Sequence, residues 1–76
     1  MCGIVGITST KPVTSMIVNS LKKLEYRGYD SAGIATISNG EIDEKKCTGR
    51  VDSLEKILSK SPSSGILGIG HVRWAT

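Results

Sequence analysis

Position 2 carries the residue whose type and place best suit chemistry: Cys2 follows Met1 directly and leads into Gly3-Ile4-Val5-Gly6-Ile7. Once Met1 is removed, Cys2 bears a thiol and an α-amine on one residue. Nucleophile and base are then brought together by covalent geometry, not by folding distant side chains onto each other. An α-amine titrates at roughly 7.7–8.0, far closer to cellular pH than a lysine at about 10.4, so it can take the thiol proton directly or through one water. Without such help a thiol near about 8.5 is only about a few per cent thiolate at neutral pH. With Met1 retained, a peptide bond takes the place of the amine and the base is lost. On position alone, the plainer reading is an idle or buried thiol.

Two further segments change that weighting. They are Leu24-Glu25-Tyr26-Arg27-Gly28-Tyr29-Asp30-Ser31-Ala32-Gly33 and the stretch Gly70-His71-Val72-Arg73-Trp74-Ala75-Thr76. Together with Met1-Cys2-Gly3-Ile4-Val5-Gly6 they resemble the N-terminal glutaminase domain of the glutamine–fructose-6-phosphate aminotransferases, or glucosamine-6-phosphate synthases, which are class II glutamine amidotransferases. The three motifs stand in the same order, and the resemblance runs from Met1 to Thr76. It implies hydrolysis of the glutamine side-chain amide with Cys2 as nucleophile and its α-amine as base, and no cofactor. Arg73 is then the group that holds the glutamine α-carboxylate, because a guanidinium offers two parallel donors that match a carboxylate and is always charged. The resemblance also places Thr76 at the same end of the amino acid, Trp74 in a loop that closes over glutamine, and Arg27 near the reacting sulfur. Read from the residues alone, Trp74 is core and Arg73 a surface charge. Arg27 equally suits stacking on Tyr26 or Tyr29, or pairing with Asp30. His71 is left out of the catalytic set, since a histidine inside a strand of Gly and Ile is more often structural.

The family's oxyanion donors, an Asn-Gly pair, and the Asp that grips the glutamine α-amine lie downstream of these 76 residues, so the chain alone is expected to hydrolyse glutamine negligibly. The resemblance implies a parent protein that is a homo-oligomer and passes ammonia to fructose 6-phosphate through downstream isomerase domains. Residues 1–76 are accordingly expected to be a partial glutaminase domain with no second domain, in the cytoplasm. The other reading is a non-catalytic interaction fragment, or a truncated gene product, on the same scaffold.

Size and composition fit this. A chain of 76 residues with 38% hydrophobic content, one Trp and no Phe supplies one small core, and a domain this short buries only about 60% of its unfolded surface. Ten Lys and Arg against seven Asp and Glu give a net charge of +3. Lys22-Lys23 and Lys45-Lys46 are pairs without interleaved aromatics, read as solvating a helix face and a strand end, so a nucleic-acid role is not expected. The apolar stretch through Ile7 is too short for a signal or membrane segment. Cys2, Cys47 and His71 lack metal spacing, and Cys47 reads as a small buried apolar residue. Gly65, Gly68 and Gly70 run G-x-x-G-x-G with no helix after them, which is not a dinucleotide fingerprint.

The elements that must position these residues follow from hydrophobic spacing. Gly3 to Thr8 reads as a buried strand. Pro12 opens a helix whose stripe is Val13, Met16, Ile17, Leu21 and Leu24, ending near Glu25 or Tyr26 with Gly28 as the stop. Asn39-Gly40 predicts a type I′ hairpin joining Ser31–Ser38 to Glu41–Thr48. Asp52-Ser53-Leu54-Glu55 has capping-box spacing and predicts a short helix burying Leu54, Ile57 and Leu58. A polar linker, Ser59 to Gly65, leads to a last strand from Ile66. Composition and order support α+β; the resemblance implies the first part of the αββα sandwich of the N-terminal-nucleophile hydrolases. An apolar sheet face is then expected to lie exposed where a second sheet would sit.

Overall fold

The computed structural model describes residues 2–27 and 30–74, with the backbone alone for Arg27. Four strands and two helices follow the expected order: β1 (Cys2–Thr8), α1 (Thr14–Leu24), a single 3₁₀ turn (Glu25–Arg27), β2 (Asp30–Ser38), β3 (Glu41–Thr48), α2 (Val51–Lys60) and β4 (Leu67–Trp74). The strands form one antiparallel sheet in the order β1-β4-β2-β3, so the last strand lies between the first and the second. The fold is α+β. The expected stop at Gly28 lies outside the described residues.

The hairpin forms as its turn chemistry dictates. Asn39 and Gly40 take φ of 53° and 77°, the two left-handed positions that a type I′ turn needs, and Ser38 pairs with Glu41 directly beside them.

Both helices cover one face of the sheet. Val13, Ile17, Leu21, Val51 and Leu54 are each fully buried, joined by Ala32, Ile34 and Val72 from the strands. Each of the Val, Leu and Ile side chains contributes about 1.5–3 kcal/mol by leaving water. Gly70 makes the seat for α1: a Cβ there would collide with Ile17, and one at Gly68 would lie 3.0 Å from the Ile17 side chain. These glycines therefore serve close helix–sheet packing.

Four expectations are corrected. Met16 is 40% exposed while Val18 is 5% exposed. The two sit about 200° apart on the helix, and Val18 is on the flank shared with Leu58 of α2. β1 is an edge strand, not a buried one: its residues alternate between exposed and half-buried, with Val5 and Ile7 against the core and Ile4 79% exposed. In α2 it is Val51 that is fully buried beside Leu54 and Leu58, whereas Ile57 is only half-buried. Finally, α2 begins at Val51, one residue ahead of the proposed Asp52 cap, and has no capping side chain of its own. Its first amide is satisfied from afar, the Val51 N–H donating to Glu25 Oε2 at 2.7 Å.

Register also corrects the reading of Lys45-Lys46 as a pair that solvates a strand end. Lys45 points to the helix-covered side, 12% exposed, ion-paired with Asp43 and 3.4 Å from the Ser63 hydroxyl. Lys46, its neighbour on the opposite face, is 65% exposed and 3.9 Å from Glu44. Lys22 pairs with Glu55 at 2.8 Å and so ties α1 to α2.

Candidate active site

Antiparallel pairing delivers distant parts of the sequence to one end of the sheet. β1 and β2 begin there and β4 ends there: Cys2 pairs with Arg73, Arg73 with Ser31, and Asp30 with Trp74. Directly paired residues project from the same face with Cβ atoms about 4.5–5.5 Å apart. Cys2 and Arg73 are therefore neighbours on one surface although 71 positions apart in sequence, and both are exposed. This is the face that the helices leave open.

Arg73 has a partner that sequence reasoning missed. Its Nη1 lies 3.4 Å from Asp30 Oδ2 across the β4–β2 boundary, with the two side chains 70% and 44% exposed. The sequence alone offers Asp30 as a partner for Arg27. No local signal links Asp30 to Arg73; only the strand order, which sets β4 against β2, brings them together. Asp30 is itself tied down, its carbonyl accepting from the Gly49 N–H at 2.7 Å.

The remaining predicted residues divide. Trp74 is 7% exposed and belongs to the core cluster on the helix-covered face, opposite to Cys2 and Arg73. Arg27 ends the 3₁₀ turn three residues before β2, at the same end of the sheet; its side chain, like Thr76 and Met1, lies outside the described residues. The turn that carries Arg27 is fixed at its other end by the Glu25 carboxylate bonded to the start of α2.

Two other titratable groups define what the site excludes. His71 is half-buried on the open face, over Gly33, where a Cβ would lie 2.6 Å from His71 Nε2. It pairs with Ile4 in register, one alternation along from Cys2. Cys47 is half-buried against the core, and burial pushes its thiol up from the ordinary value, with a hydrogen bond from Ala32 opposing that and the Glu25 charge reinforcing it. A thiol shifted upward is a poorer nucleophile at neutral pH. Among the described residues no group of three or more His, Cys, Asp or Glu is placed to hold a metal ion, and no helix is long and apolar enough to cross a membrane.

No family model matches the chain. Curated relatives do, along all 76 of its residues. It is 57% identical to glutamine–fructose-6-phosphate aminotransferase (isomerising) of Agrobacterium fabrum, 57% to that of Bartonella henselae and 54% to that of Clostridium acetobutylicum. The chain spans 12% of the length of each of these proteins. It is thus similar, from Cys2 through the Arg73 strand and over its entire length, to the N-terminal segment of the glutamine–fructose-6-phosphate aminotransferases.

Proposed function

We propose that these residues form the beginning of a glutaminase site in an amidotransferase that makes glucosamine 6-phosphate from fructose 6-phosphate. The observation that carries the reading is the pairing of Cys2 with Arg73 on the uncovered face, which sets a thiol and a carboxylate receptor side by side. The similarity to aminotransferases named for glutamine and fructose 6-phosphate supports it.

In this reading the Cys2 α-amine, free after loss of Met1, takes the thiol proton, and the thiolate attacks the side-chain amide carbon of glutamine. The ammonium so formed returns the proton to the amide nitrogen, the C–N bond breaks, and ammonia leaves a thioester on Cys2. The amine then deprotonates water, which splits the thioester to glutamate and restores the thiol. Arg73 holds the α-carboxylate with parallel donors, Thr76 assists at the same end, and Arg27 supports the sulfur. Trp74 acts here by packing: buried beneath the end of β4, it fixes the strand that presents Arg73. The ammonia goes to fructose 6-phosphate on other domains of a cytoplasmic homo-oligomer. The sheet with helices on one face and exposed Ile4 and Ile69 on the other supports assignment to the first part of an αββα sandwich. The 76 residues by themselves, without the downstream oxyanion donors, hydrolyse glutamine negligibly.

The test is trapping with a glutamine-mimicking electrophile, 6-diazo-5-oxo-L-norleucine, on a full-length version, followed by peptide mass mapping. Stoichiometric label on an N-terminal peptide that begins at Cys2, with none on Cys47, is the expected result. Equal labelling of the two thiols, or an N-terminal peptide that retains Met1, contradicts the reading and favours a non-catalytic scaffold.

A further inference from the structure

From the contact between Asp30 and Arg73 we propose that Asp30 is a positioning residue for substrate binding: it holds the Arg73 guanidinium so that the edge nearer Cys2 is presented to a ligand carboxylate. The inference rests on the glutaminase reading above.

Arg73 lies on the middle of three strands. Cys2 of β1 pairs with it on one side, and β2, carrying Asp30 and Ser31, lies on the other. Among the described residues the guanidinium is ion-paired with Asp30, whose Oδ2 lies 3.4 Å from a single terminal nitrogen, Nη1, on the β2 side. A guanidinium has five donors in a planar fork, so this contact with one terminal nitrogen leaves donors for a second carboxylate. An unrestrained arginine that is 70% exposed samples many rotamers, and each must be given up on binding. A backbone bond from Gly49 to the Asp30 carbonyl fixes the base from which Asp30 acts. The pair is solvent-exposed and hence weak, which sets the scale at a few-fold change in affinity and excludes an all-or-none role. A weak contact also suits a site in which Arg73 must adjust as the ligand arrives.

A positioning role acts through the α-carboxylate alone, and that separates it from a general structural one. In the full-length protein, Asp30→Asn keeps the shape of the side chain and removes its charge. The expected result is a two- to fivefold rise in KM for L-glutamine at a kcat within twofold of the parent. For 4-aminobutanamide, which is glutamine without the α-carboxylate, kcat/KM stays unchanged, and Asp30→Glu recovers most of the L-glutamine KM. Equal losses on both substrates, or a KM for L-glutamine that is unchanged or lowered, overturn the proposal; a lowered KM identifies Asp30 as a competitor for Arg73 instead. If the parent protein fails to label at Cys2 with the electrophile, the glutaminase reading itself has failed; if it labels and Asp30→Asn is silent, only this inference has.

Discussion

The two faces of one sheet contrast sharply. On the helix-covered side, Ala32, Ile34 and Val72 are 1–2% exposed and interlock with Ile17, Leu21, Val51 and Leu54. On the other, Ile4, Leu67, Ile69, Ile37 and Ile42 range from 41% to 79% exposed, and Cys2 and Arg73 share that side. An antiparallel sheet with one solvated face normally alternates apolar with polar residues. Here the open face also carries a run of large apolar residues beside Arg73, His71 and Lys46. Stability in the described residues is therefore carried by one face, while Cys2 and Arg73, the residues proposed for the chemistry, lie on the open one.

Truncating each face in turn should give very different costs. Leu54→Ala opens a cavity in the packed layer under the helices and should cost about 2–5 kcal/mol, enough to unfold so small a domain. Ile69→Ala on the open face should change the stability of the 76-residue chain by about 0.5 kcal/mol or less. Urea titrations of the two variants read the difference directly. If Ile69→Ala proves as costly as Leu54→Ala, the open face is packed in a way the structure does not show.

A smaller effect sharpens the same contrast at the rim of the covered face. Lys45 donates to Asp43 and, with the Ser63 hydroxyl, holds the Asp43 carboxyl below the usual carboxylate range. A carboxylate whose folded pKa is lowered adds stability above its unfolded value, about 3.9, and loses it as pH falls through the lowered value. Asp43→Asn should therefore lower the melting temperature slightly at pH 7 and reduce its fall between about pH 4 and pH 2. The same fall in parent and variant would remove Asp43 from this role.

How much of this was legible in the sequence depended on how local each cause is. The hairpin was read in full because Asn39 and Gly40 carry their own left-handed preference and fix the register of sixteen flanking residues. Both helices were recognisable from apolar spacing, yet which flank of α1 is buried depends on where α2 lies, and so Met16 and Val18 changed places. The start of α2 was misplaced because its amide partner, Glu25, is 26 residues away. At the site, Cys2 and Arg73 were legible as chemistry, but their adjacency depends on the insertion of β4 between β1 and β2. Asp30 was invisible as an arginine partner for the same reason.

The central claim is that Cys2 is the nucleophile, and ammonia release from L-glutamine by full-length Cys2→Ala and Cys47→Ala proteins tests it most directly. Cys2→Ala should fall to the background rate while Cys47→Ala keeps the parent rate. Continued ammonia release by Cys2→Ala would contradict the account.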